Sequence, residues 1–259
     1  MSVDGQRWFL LNASPDVHEQ LDCLPCPVPA GVRHVPLEGI IITDAELDHT
    51  LGVVLLREAR HLQLFTTSAV RRTLEQDSRI LPLTQAFTRV DVHEMSLGEG
   101  IPLLYRNGEP SGVVVEPFEV PAGPPRFARV HAPGHTVGLS LLDQSSGACC
   151  AYVPGCGDLD ETLLERFGSV DLLLFDGTFW TDDELTSLGI SDRRAREMDH
   201  QPISGSGGTL SRLSRLTRPR KVYTHINNTN PILLESSAER AQVERAGFTV
   251  GADGMSFSL

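Results

Sequence analysis

A chain of 259 residues, 40% hydrophobic and 22% charged, can bury a sizeable core and has the balance of an ordinary globular protein. Its formal net charge of -12 comes without a basic tract, which argues against nucleic acid as a partner, because phosphate binding needs clustered lysine and arginine. No apolar run reaches the length of a bilayer span and no basic segment precedes an apolar one at the N-terminus, so neither a membrane anchor nor a secretory signal is expected, and the default location is cytoplasmic.

In chain order, "RWFLLNASPD" (7–16) reads as a strand running into a polar loop, and "VHEQLDCL" as a short helix. A proline-rich connection, "PCPVPAGVRHVP", follows. "LEGIIIT" (37–43) is a continuous apolar run, β-branched at 40 to 43, and predicts a buried strand. "TDAELDH" (43–49) hangs from its C-terminal end. "HTLGVVLLREAR" predicts a helix, "LQLFTT" (62–67) a strand, and "SAVRRTLEQ" a helix opened by Ser68 as N-cap. From 88 to 153, short apolar or alternating runs separated by Gly, Pro and Asp predict mostly strand: "RVDVHEM", "GVVVEPFEV", "RFARVHA", "GLSLLDQ" and "ACCAYV". "DLDETLLERFG" (158–168) is helical, and "VDLLLFDGTF" (170–179) is a buried strand with Asp176 at its end. "TLSRLSRL" reads as a helix, "KVYTHINN" (221–228) as a strand and loop, and "SSAERAQVERAG" as a helix stopped by Gly247. "FTVGADGMSFSL" closes with a strand or hairpin. Alternation at both ends around a β-rich middle suits two packed sheets covered by helices on both outer faces, as one domain over 1–259.

Five cysteines (Cys23, Cys26, Cys149, Cys150 and Cys156) are an odd number in a long chain, so no disulfide scaffold is implied. "CLPC" (23–26) supplies half of a structural zinc site at best and reads as free thiols. Cys149 and Cys150 sit in an apolar run and read as core. The arginine-rich "SRLSRLTRPRK" (211–221) reads as a solvated helix face.

Polar side chains recur where strands end: Asn12, Ser14 and Asp16; Asp44, Glu46, Asp48 and His49; His131 and His135; Asp176; His225 and Asn227. Loops at the ends of strands leave room for ligands and catalytic groups to converge. One such histidine is ordinarily structural; five clusters are harder to dismiss.

"LNASPD", "TDAELDHTLGVVLLRE", "YVPGC", "FDGTFWTDDEL", "DHQPISGSGGTL" and "THINNTNPIL" follow one another as do the motifs of the PqqB family, the B proteins of pyrroloquinoline quinone biosynthesis. The resemblance runs from about residue 3 to the C-terminus. That family is a branch of the metallo-β-lactamase superfamily, so the resemblance implies an α/β fold, an αββα sandwich. Relative to the family pattern the chain lacks the usual N-terminal strand and the cysteine-containing segment that holds a structural zinc. A sheet edge left open in that way favours pairing with another chain, a homodimer.

The superfamily's paired-metal loop is His-x-His-x-Asp-His. Here Asp44 and Glu46 stand where the first two histidines would be, and Asp48 and His49 are kept. The resemblance implies a single metal held by Asp48, His49 and His225. Two imidazoles and one carboxylate with open positions suit non-heme Fe(II) that activates O2, with zinc as a substitute metal. The implied activity is an iron- and O2-dependent hydroxylase, an oxidoreductase acting on a tyrosine-derived intermediate, with a small-molecule or peptide-derived amino-acid substrate. Asp44 and Glu46 are candidates for a proton relay or a substrate-amine contact, or are a solvated loop edge. His135, in "APGHTVG" (132–138), lies in a turn that resembles the hydrolase Gly-His-Thr turn and is a candidate extra metal ligand, catalytic base or substrate contact. His200, in "DHQPISG", is a candidate proton shuttle or a structural loop residue. Two other readings stay open: a carrier that transports the quinone or its precursor, and a zinc hydrolase using His135 with Asp48, His49 and His225.

Overall fold

The computed structural model describes residues 1–24 and 37–259. The proline-rich connection and Cys26 of the CxxC pair lie outside the described residues. The chain forms two compact units. The first is Met1–Glu119 with Gly123–Val137 and Asp143–Ser146, and the second is Val120–Ala122, Gly138–Leu142 and Gly147–Leu259.

The first unit holds β1 (Trp8–Leu11), α1 (Val17–Asp22), β2 (Leu37–Ile41), α2 (Leu47–Leu55), β3 (His61–Thr66), α3 (Ser68–Arg72), α4 (Ile80–Gln85), β4 (Arg89–Glu94), β5 (Ile101–Leu104) and β6 (Pro110–Glu119). β1 to β4 pair in sequence order, all parallel. Parallel sheets are covered on both faces, which is why "LEGII" is apolar except at half-buried Glu38: Leu37, Ile40 and Ile41 are all buried. Ile40, Ile42, Val53, Leu56, Leu64, Val70 and Leu74 join in one core cluster. β5 and β6 form an antiparallel pair.

Three expectations are corrected here. The N-cap of α3 is Thr67, not Ser68: Thr67 has the extended backbone a cap needs, and its Oγ1 accepts the Val70 N–H at 3.2 Å. The helix expected over "SAVRRTLEQ" passes into a π-turn at Thr73–Asp77, then Arg79 in the left-handed region (φ 62°) lets α4 start in a new direction. "RFARVHA" forms no strand; its residues lie in turns and irregular chain, since none of them is buried enough to anchor the alternation. α4 and β5 were not expected.

The second unit holds β7 (Val137–Asp143, its centre in this unit), β8 (Cys149–Val153), α5 (Glu161–Gly168), β9 (Leu172–Asp176), α6 (Glu184–Ser187), α7 (Thr209–Leu213), β10 (Arg220–Thr224), α8 (Ala238–Arg245) and β11 (Phe248–Val250). The strand order is β11-β10-β9-β8-β7, antiparallel only between β7 and β8. Asp160 caps α5 by accepting the Leu163 N–H at 2.8 Å, and Ser237 caps α8 through the Arg240 N–H at 3.0 Å. α8 stops at Gly247, whose φ of +80° is the left-handed conformation of a helix terminator.

Among the described residues no helix is long and apolar enough to cross a membrane. Cys150 and Cys156 are buried, and burial pushes the Cys150 thiol up to about 12 and raises that of Cys156 as well. Native protein treated with iodoacetamide near pH 8 should therefore be modified at exposed Cys23 while Cys150 and Cys156 react only after unfolding, as peptide mass spectrometry would show.

Candidate metal centre

The first unit carries its candidate residues on the turn after β2. Thr43, Asp44 and Ala45 are buried, whereas Glu46, Leu47 and Asp48 are exposed at the start of α2. Glu46 is the N-cap in extended conformation, and Asp48 sits in the first helical turn, where the helix dipole favours a carboxylate. His49 is buried one residue further on. α2 lies close against the loop after β1: Gly52 N–H donates to the Ala13 carbonyl at 2.9 Å, and Ala13 N–H to the His49 carbonyl at 2.7 Å. A Cβ on Gly52 would stand 2.3 Å from the Ser14 carbonyl oxygen, so only glycine permits this approach.

Asp44 is 2% exposed, and its two oxygens lie 2.7 and 2.8 Å from His49 Nδ1. It also accepts the Glu46 N–H at 3.0 Å and the Thr43 hydroxyl at 2.8 Å. Burial by itself would raise its pKa; the His49 ring, the Glu46 N–H and the Thr43 hydroxyl outweigh it and hold the carboxyl below its ordinary range. An ionised Asp44 fixes the Nδ1–H tautomer of His49 and leaves the buried Nε2 on the side of the ring away from it, the arrangement that backs metal-ligating imidazoles. Thr43 is in turn held by Asn12, whose Nδ2 donates to Thr43 Oγ1 at 2.8 Å and whose Oδ1 accepts the Thr43 N–H at 2.9 Å. Asn12 does this from the left-handed region (φ 59°), where asparagine is tolerated better than most residues. Its burial removes the solvated loop edge as a description of Asp44, and its contact with His49 suits a positioning role. Glu46, exposed, keeps the substrate-amine contact open.

His135 is buried at 4% exposure beside Thr136, whose backbone bridges to Asp44. The turn is tied down by Thr67 Oγ1 donating to the Gly134 carbonyl at 2.6 Å and by Val137 N–H donating to Thr43 at 3.0 Å. Burial pushes the His135 imidazole below its usual range, against the pull of the Val130 carbonyl. Among the described residues it joins no group of three side chains able to hold a metal.

The second unit carries its candidate residues where β9 and β10 end. A Cβ on Gly177 would lie 2.9 Å from Tyr223 Cβ and 3.1 Å from the Thr224 carbonyl, so glycine lets the two strand ends close on each other. The loops after them are laced together. Asn230 Nδ2 donates to the Gly177 carbonyl at 2.8 Å, and buried Glu184 accepts the Trp180 N–H at 2.6 Å and the Thr229 hydroxyl at 2.5 Å. These bonds explain why "FDGTFWTDDEL" and "HINNTN" occur together. His225 sits in the left-handed region (φ 53°), a strained placement for a non-glycine residue of a kind that clusters at functional sites.

Asp176, His200 and His225 can offer ligand atoms that lie within 4.8 Å of one another. Asp176 is nevertheless committed to protein donors: the Thr178 N–H at 3.0 Å and hydroxyl at 2.5 Å reach Oδ1, and His200 Nδ1 at 2.7 Å and the Cys156 N–H at 3.3 Å reach Oδ2. A carboxylate has about four lone-pair sites, so a metal would have to displace one of these donors. Burial would raise the Asp176 pKa, but His200 and His225 beside it more than reverse that and the carboxyl is strongly depressed. The His200 and His225 rings stack with centroids 5.4 Å apart and planes 21° from parallel. Asn12, singled out at a strand end without a role, is a support for Thr43, whereas Thr43 and Thr178 were missed; the signal available was their place beside the residues singled out.

A family model of the beta-lactamase superfamily domain matches residues 7–226. Coenzyme PQQ synthesis protein B of Gluconobacter oxydans is 37% identical over 264 residues, covering 100% of this chain and 85% of the relative. Its counterpart in Nitrosococcus oceani is 39% identical over 266 residues, covering 100% and 86%. The crystal structure of Zn2+-bound PqqB from Methylobacterium extorquens superposes with a TM-score of 0.87 at 32% identity, covering 100% of this chain and 86% of that one. A diphosphatase of the PhnP family superposes with a TM-score of 0.66 at 17% identity, a likeness of fold alone. The chain belongs to the metallo-β-lactamase superfamily and, within it, to the family of coenzyme PQQ synthesis protein B.

Proposed function

We propose that this protein is an Fe(II)- and O2-dependent hydroxylase acting on a tyrosine-derived intermediate of pyrroloquinoline quinone biosynthesis, with Asp48, His49 and His225 as the metal ligands. Asp44 carries the reading. Where a paired-zinc hydrolase has an imidazole, this chain has a buried carboxylate whose oxygens are spent on His49, Thr43 and Glu46. The nitrogen donors of one metal position are gone, and what is left suits a single ion: two imidazoles, one carboxylate and open positions. Iron bound there would supply O2 activation.

The chain's own residues would do the rest. Asp44 holds the proton on His49 Nδ1. Glu46, exposed at the N-cap of α2, is a carboxylate for a substrate amine. His200, with Nδ1 on Asp176, offers Nε2 to take a proton from the substrate's ring hydroxyl. The Methylobacterium extorquens relative binds Zn2+, and a donor set of one carboxylate and two imidazoles binds zinc more tightly than Fe(II) by the general order of divalent affinities. The same zinc is the observation in favour of a second reading, a zinc hydrolase.

Anaerobic reconstitution with Fe(II) followed by nitric oxide tests the proposal. A stoichiometric high-spin iron–nitrosyl signal that Asp48→Ala removes is expected, together with substrate-dependent O2 uptake lost in the same variant. O2 uptake unchanged in Asp48→Ala and His225→Ala would refute it. Hydrolysis of a lactam or phosphodiester by the zinc form would favour the second reading.

A further inference from the structure

The Thr178 hydroxyl sits among four groups, on three residues, that compete for its single proton. Its oxygen lies 2.5 Å from Asp176 Oδ1, 2.8 Å from His225 Nδ1, 2.9 Å from the His225 carbonyl oxygen and 3.1 Å from His200 Nδ1. A hydroxyl donates once and accepts up to twice. Asp176 is a buried carboxylate and makes the shortest of the four contacts. Charge-assisted bonds are shorter and stronger than neutral ones, so the hydroxyl proton goes to Asp176 rather than to the His225 carbonyl or to a ring nitrogen. The hydroxyl oxygen then faces His225 Nδ1 with lone pairs only. The hydroxyl oxygen already faces the His225 carbonyl at 2.9 Å without a hydrogen between them, and a bare ring nitrogen at 2.8 Å would add a second repulsion of the same kind, so Nδ1 carries a hydrogen.

We propose that Thr178 is the positioning residue of His225: it relays the charge of Asp176 to that ring, keeps the proton on Nδ1 and leaves the lone pair on Nε2. His200 receives the same treatment without a relay, because its Nδ1 reaches Asp176 Oδ2 directly at 2.7 Å. One buried carboxylate therefore sets the tautomers of two stacked imidazoles, one by direct contact and one through a hydroxyl. Asp44 does the equivalent for His49 in the first unit, with no intermediate. The role in metal binding rests on His225 being a ligand; the place of the proton does not.

The test uses full-length protein labelled with 15N-histidine, metal-free and zinc-loaded, read by long-range proton–nitrogen correlation. The His225 signals are identified by their loss in His225→Gln. Wild type should show His225 protonated at Nδ1 in both forms. Thr178→Val, nearly isosteric, should lose that protected Nδ1 proton and bind zinc about 10- to 100-fold more weakly, the usual cost of removing a group that orients a ligand. Thr178→Ser should restore both, and His200 should keep its Nδ1 proton in every variant. A wild-type spectrum with the His225 proton on Nε2 overturns the proposal even if Thr178→Val fails to fold. So does a folded Thr178→Val with an unchanged His225 proton, or a Thr178→Ser that behaves like Thr178→Val. If His225→Ala binds zinc as tightly as wild type, the ligand reading fails, and the spectra still decide the tautomer.

Discussion

His49→Ala is expected to cost the protein both its metal and much of its stability. The metal loss should exceed roughly 100-fold in affinity, since removing only a supporting group typically costs 10- to 100-fold. The stability loss follows from what stays behind. Asp44 remains 2% exposed with its imidazole partner removed, and an uncompensated buried charge costs about 3–5 kcal/mol. The pH dependence should change sign. In the wild type the Asp44 carboxyl is depressed by its partners, so its contribution is present above the ordinary carboxylate range and is lost as pH falls through the lowered value. Without the ring, burial dominates and the carboxyl is pushed upward. The variant should then gain stability as pH falls from 7 toward 5, where protonation removes the buried charge. Urea midpoints at the two pH values measure this. A second variant, Asp44→Asn with His49→Ala, should recover part of the loss at pH 7, and equal midpoints for the single and double variants would refute the argument.

The strands and most helices could be read from the sequence because burial on both faces leaves an unmistakable mark. "LEGIIIT" is apolar apart from Glu38 through its buried strand, and "VDLLLFD" is apolar from Leu172 to Phe175. The cap of α3 was displaced by one residue because Thr67 and Ser68 are both good caps, and only the backbone conformation separates them. "RFARVHA" alternates like a strand yet pairs with nothing, since alternation reports a possible face and not the presence of a partner. The same limit applied to the site. Residue type and position at strand ends singled out Asp44, His49, Asp176 and His225. Spacing does not say where a carboxylate points, however, and Asp44 reads identically whether it faces a substrate or the Nδ1 of a histidine five residues on. Asn12 and Thr178 were harder still. Their parts depend on a left-handed backbone in one case and on contacts across 47 residues of chain in the other.

Asp44→Asn separates charge from shape and should be the more informative substitution. The asparagine side chain fills nearly the same volume but offers one acceptor oxygen and one donor amide. Three donors converge on Asp44: His49 Nδ1, the Glu46 N–H and the Thr43 hydroxyl. The Glu46 N–H cannot become an acceptor, so the oxygen is claimed by the backbone and the amide is turned toward Thr43 and His49. Thr43 already accepts from Asn12 Nδ2 at 2.8 Å and has little room to accept again. The least costly adjustment is for His49 to lose its Nδ1 proton and accept from the amide, which moves the ring proton to Nε2. The histidine is then present, in place and in the wrong tautomer for a metal. Metal affinity should fall about 10- to 100-fold, while stability falls by only about 1.5–3 kcal/mol, the worth of a hydrogen bond to a charged group. Metal binding should also lose its dependence on the Asp44 charge. Zinc titration by calorimetry, beside thermal unfolding of the same samples, reads both effects. A large loss of stability with metal affinity intact would mean that Asp44 holds the fold and not the ring.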